Sequence, residues 1–185
     1  NLMIYGAGNG FMGGLIAMRQ ANGGDFILSY GNLYNNIVLI AGNSFNVNTW
    51  AHVVVTFDGG DTGSNFADVS DYYSRFKIYI DGMLMPHVGS ATNNGYSGAI
   101  SGSSSSDDIY RIGRDINGYP NYFGGAINQV AIWGSDESAD ISTIYNSGIT
   151  QDLSLLASPP SHYYEIEYSV TSIPDLIGSA NLAGY

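Results

Sequence analysis

Cysteine is absent from the 185 residues, which excludes a disulfide framework and any metal held by thiolates. Positive charge is scarce: five Lys and Arg stand against 16 Asp and Glu, for a formal net charge of −11. A surface of that sign repels phosphate backbones and anionic lipid, so neither nucleic acid nor membrane is an expected partner. Charged residues of both signs reach only 11%, under half of the roughly 25% in an average soluble domain. No apolar run approaches the roughly 20 residues that a membrane-crossing helix needs. The chain begins at Asn1 instead of Met, and the first residues, Leu2 to Tyr5, already read as strand. That start fits a processed or partial product, so the lack of a leader carries no information.

What is abundant points to strands and tight turns. Gly (25) and Tyr (15) are both high; Gly supplies positive φ, and Tyr suits a half-buried pleated surface. Hydrophobic residues make up 44% and aromatics 13%, enough for a sizeable core in one domain of this length. Asn, Gly, Ser, Thr and Tyr provide most of the polarity.

Short apolar runs punctuated by turn residues predict strands near 12–19, 25–30, 36–41, 50–58, 75–81, 109–113, 126–133 and 162–167, a spacing typical of sandwiches and barrels. Between Arg75 and Asp81 the residues Phe76, Ile78 and Ile80 share one face, with Lys77 and Tyr79 on the wetter one. Asp81-Gly82 is a strong hairpin signal. The stretches 59–74 and 101–108 read as exposed loops. One helix is expected, over 137–145, capped by Ser135 or Asp136 and followed at its exit by Gly148. Pro159-Pro160 then stiffens a connection into a last segment, 158–185, that closes the same sandwich. No internal repeat is present. The fold expected from pattern alone is all-β, with one short surface helix.

Four pieces, in order, carry a family resemblance. They are the Trp-led run from Asn48 through Trp50 to Asp58, the run from Phe76 to Asp81-Gly82, the Ile-Gly strand Tyr110 to Arg114, and the run from Tyr122-Phe-Gly-Gly to Trp133 with the helix behind it. In this order they resemble the laminin G-like, concanavalin A-like superfamily of lectins and glucanases. The resemblance implies an antiparallel jelly-roll β-sandwich, read here as a single laminin G-like domain over residues 1–185. The superfold hosts lectins, adhesion modules, glucanases and structural domains, so it names no activity by itself. The tail from His162 to Tyr185 more loosely resembles the closing segment of such domains in phage and environmental virion proteins, and it implies a virion or extracellular setting.

Related glucanases carry a Glu-x-Asp-x-x-Glu strand motif that places nucleophile and acid about 5–5.5 Å apart. The nearest match is Glu165-Ile-Glu167, whose pattern Ser169 and Thr171 fail to complete, and the only other Glu is Glu137. His52, His87 and His162 lack metal-binding spacing, and no Gly-x-Ser-x-Gly elbow stands between strand and helix. The expectation is therefore a non-enzymatic module.

Calcium is the one cofactor with candidates, because the family often holds it at the sandwich rim and this hard cation takes loop oxygens. These are Asp58, Asp61 and Asp68 in one loop and Asp115, Asn117 and Asn121 in another, with turn-forming roles as the plainer alternative. For sugar contact, exposed aromatics must stack on ring faces while amides fix hydroxyls. Tyr96, Tyr119, Asn121 and Tyr122, with Tyr72 and Tyr73, supply both types in loops. The same tyrosines suit a protein interface. Glycans, neighbouring structural subunits of a particle, or further copies of the chain are the expected partners.

Overall fold

The computed structural model describes residues 4–7, 15–20, 26–31, 35–42, 46, 48–58, 75–93, 109–113, 124–166 and 172–183. The chain forms two compact units, Asn1–Gly125 and Ala126–Tyr185. Among the described residues the structure is all-β, with one α-helix and every strand pairing antiparallel.

In the first unit, six strands form one sheet: β1 (Ile4–Ala7), β2 (Leu15–Gln20), β3 (Phe26–Gly31), β4 (Asn35–Ala41), β8 (Val88–Asn93) and β9 (Ile109–Ile112), in the order β8-β4-β3-β2-β1-β9. Strands β1 to β4 are sheet neighbours in chain order, as in a meander. Leu15 stands opposite Gly31, and Phe26 opposite Ala41. Phe26 and Ala41 are both buried.

A second sheet joins β5 (Val53–Phe57), β6 (Phe76–Ile80) and β7 (Met83–Met85) in that order. Alternation places Phe76, Ile78 and Ile80 in the core, as the two-residue period requires. Tyr79, expected on a wetter face, is buried as well, while Lys77 beside it is half-buried. At Tyr79 both faces of β6 are therefore covered. Phe57 and Phe76 face each other across β5 and β6 and stack with centroids 4.6 Å apart, a favourable cross-strand aromatic pair. Asp81 and Gly82 close the β6–β7 hairpin with φ of 50° and 77°, the two positive angles that a type I′ turn needs. β5 is shorter than the run 50–58, since residues 50–52 precede the strand.

In the second unit, β10 (Gln129–Ile132) pairs with β11 (His162–Glu165), so that Gln129 faces Glu165 and Ile132 faces His162. β12 (Ser172–Ile173) pairs with β13 (Leu182–Ala183). The helix is corrected at its start. α1 spans Ile141–Tyr145 only, and Asp136 caps an earlier turn by accepting the Ser138 N–H at 3.0 Å and the Ser138 hydroxyl at 3.1 Å. A short Asp side chain that bonds the backbone two residues on competes with helix, which delays α1 by a turn. Ile141 and Ile144 anchor it in the core, and Gly148 follows with φ 80°. Pro160 is fully buried and Ser161 N–H donates to the Ile132 carbonyl at 2.7 Å, so the Pro-Pro connection is packed against its own unit.

Candidate functional site

At the hairpin end of the β5–β6–β7 sheet, His52 and Asp81 are tied twice. Asp81 N–H donates to the His52 carbonyl, and His52 N–H donates to Asp81 Oδ1, both at 2.9 Å. Burial lowers the His52 pKa, partly offset by the Asp81 charge, so this imidazole is neutral at pH 7. Two residues further out, the Trp50 side chain is 69% exposed. Its approach is shaped by Asn48, at φ 60°, and by the Thr49 hydroxyl, which donates to the Asn46 carbonyl at 2.8 Å. An indole in water offers a broad π-face and an N–H, the parts that recognise a sugar ring. The sequence pattern places Trp50 inside a strand, whereas β5 starts at Val53 and Trp50 precedes it.

At the opposite end of the same strands, Asp58 accepts from Arg75 Nη1 at 3.3 Å. Asp58 is the one calcium candidate among the described residues. Asp61, Asp68, Asp115 and Asn117 lie outside them, as do Tyr72, Tyr73, Tyr96, Tyr119, Asn121 and Tyr122. Among the described residues no group of three or more His, Asp or Glu side chains is placed to hold a metal ion.

The second unit concentrates carboxylates in three settings. Glu165 Oε1 accepts the Tyr163 hydroxyl at 2.8 Å and Gln129 Nε2 at 3.4 Å. The Tyr163 hydroxyl in turn receives Gln129 Nε2 at 2.6 Å. Burial, followed by the bond to Glu165, raises the Tyr163 pKa far above the normal phenol value. Glu167, the other half of the carboxylate pair, lies outside the described residues.

Asp175 occupies the second setting, with its side chain wholly buried. Oδ1 accepts backbone N–H groups from Tyr163 (3.1 Å), Ile177 (3.3 Å) and Gly178 (2.9 Å), while Oδ2 accepts from Ala180 N–H (3.2 Å) and contacts His162 Nδ1 at 2.6 Å. Burial alone would raise this carboxyl's pKa, yet the bonds from His162, Tyr163, Gly178 and Ala180 together hold it well below the usual range. Because an ionised carboxylate only accepts, Nδ1 of His162 must carry the proton. Sequence reading missed this cluster, although Asp175 followed three residues later by Gly178 is a recognisable turn signal.

Glu137 occupies the third. It is only 8% exposed, and its Oε1 accepts the hydroxyls of Ser135 at 2.6 Å and Ser158 at 3.1 Å. It lines a shallow depression of about 190 Å³ beside α1.

A family model described as laminin G-like, of the concanavalin A-like lectin/glucanases superfamily, matches residues 2–140. No curated protein and no solved structure matches the chain.

Proposed function

The chain belongs to the concanavalin A-like lectin/glucanase superfamily, and from that premise we propose that it is a lectin-like, non-enzymatic binding module. It works on the outside of a cell or virion, where it contacts glycans. The observation that carries this reading is the exposed indole of Trp50 at the hairpin end of the β5–β6–β7 sheet. Leaving so large an aromatic in water is unfavourable unless a partner covers it. In this reading residues 1–185 form one jelly-roll sandwich, consistent with a family match that continues past Gly125 to residue 140.

The carboxylate chemistry supports binding over hydrolysis. A retaining glucanase needs two carboxyl groups about 5–5.5 Å apart, one of them free to attack. Glu165 is instead engaged by Tyr163 and Gln129, and Glu137 by two serine hydroxyls. Calcium, if it enters at Asp58, must compete with the Arg75 ion pair.

Glycan-array binding that falls at least tenfold in Trp50→Ala is the expected result. Absence of binding to every glycan, or hydrolysis of laminarin that Glu165→Gln abolishes, would overturn it. EDTA treatment of the same array tests the calcium requirement.

A second reading, as a decoration or fibre subunit that contacts its neighbours, draws on Met83, Leu84 and Val88. Met83 and Leu84 are exposed on β7 and Val88 on β8, each an edge strand of its own sheet, and aliphatic edges suit protein partners. Co-purification with particles, lost in Leu84→Asp, would favour it.

A further inference from the structure

We infer that the depression beside α1 is a subsite for an uncharged, hydroxyl-rich sugar ring, an inference that rests on the lectin-like reading. Glu137, Asp140, Thr143 and Ser158 supply its polar wall, and Ile144 and Leu156 an apolar one. Sugar sites combine these same parts: carboxylates that accept from ring hydroxyls, hydroxyls that donate and accept, and aliphatic carbon for the ring's C–H faces. At about 190 Å³ the space is smaller than the ~300–1,000 Å³ that encloses a drug-sized molecule, which suits one terminal ring.

The polar groups are held ready for a ligand. Both serine hydroxyls go to Oε1 of Glu137, and no donor among the described residues reaches Oε2. Asp140 stands at the N-cap of α1 yet makes no side-chain capping bond, although an Asp in that place ordinarily bonds a helix N–H. The carboxylate is therefore not engaged in a hydrogen bond to its own helix. Thr143 follows on the exposed side of α1, between the buried Ile141 and Ile144.

Charge sets the selectivity. Residues 126–185 contain seven Asp and Glu and neither Lys nor Arg, so sialylated, uronic or sulfated glycans meet only repulsion. Neutral hexoses and N-acetylhexosamines remain.

The test is an array carrying neutral, sialylated and sulfated glycans, probed with the wild-type chain and with Asp140→Ala, Thr143→Val and Trp50→Ala. Asp140 and Thr143 are exposed, so circular dichroism and thermal melting should be unchanged for both variants. Binding confined to neutral glycans and weakened at least fivefold in Asp140→Ala and Thr143→Val is the expected result. Neutral-glycan binding that both variants retain, but Trp50→Ala loses, would overturn this subsite while leaving the lectin-like reading intact. Equal or stronger binding to sialylated or sulfated glycans would also overturn it. No binding to any glycan would remove both proposals.

Discussion

His162 Nδ1 lies 2.6 Å from Asp175 Oδ2, and the same carboxylate gathers four backbone N–H groups, one from β11 and three from the loop after Asp175. One buried acid thereby fastens residues 175–180 onto β11. Leu176 N–H to the Tyr163 carbonyl, at 2.8 Å, and the Tyr164 hydroxyl to the Ala180 carbonyl, at 2.8 Å, complete the attachment.

Asp175→Asn should cost about 1–3 kcal/mol at pH 7, since an amide leaves buried donors without a charged acceptor. The folded-state pKa lies below the unfolded value of about 3.9. The carboxylate's stabilisation is thus complete above roughly pH 5 and is lost as pH falls through the folded value. Urea melts of both proteins at pH 7 and pH 2.5 should show the gap narrowing; a constant gap would contradict the assignment.

Gly178→Ala should destabilise by about 1–3 kcal/mol, as overpacking does. A Cβ there would stand 2.5 Å from Asp175 Oδ2 and 2.6 Å from His162 Nδ1. Gly124→Ala, with nothing within 4 Å, is the control and should leave the thermal midpoint almost unchanged.

Gly82→Val should cost about 1–2 kcal/mol through backbone strain, because φ of 77° is the left-handed region that a β-branched side chain resists. Asp81→Asn should be milder on conformational grounds, since Asn tolerates that region. Thermal unfolding of the pair separates backbone strain from loss of the carboxylate contact to His52 N–H.

Tyr163→Phe removes the hydroxyl that joins Glu165 and Gln129. A loss of about 0.5–1.5 kcal/mol is expected in denaturant melts, since the lost hydrogen bonds go to an exposed Glu165 and a half-buried Gln129. The ring itself is completely buried and should keep its packing. A neutral result would mean that water replaces the hydroxyl in the network.

Most strand positions were legible in the sequence because alternation is a property of neighbouring residues, whereas β8, β12 and β13, which show no such alternation, were not. Phe76, Ile78 and Ile80 announce a core face without reference to anything distant, and Asp81-Gly82 announces its own turn. The motif order from Trp50 to Trp133 likewise sufficed to indicate the superfamily. Tertiary structure decided the rest. Tyr79 is buried although alternation assigns it to the wetter face, and the capping of the 136–138 turn, not the helix propensity of 137–140, decides where α1 begins. Glu137, Glu165 and Asp175 look alike as letters, yet one is held by serines, one by a tyrosine and a glutamine, and one by backbone N–H groups. Their partners lie up to 36 residues away, and no local pattern encodes which distant donor a carboxylate will meet. Periodicity specifies the faces of strands, and only the folded chain determines what each acid is for.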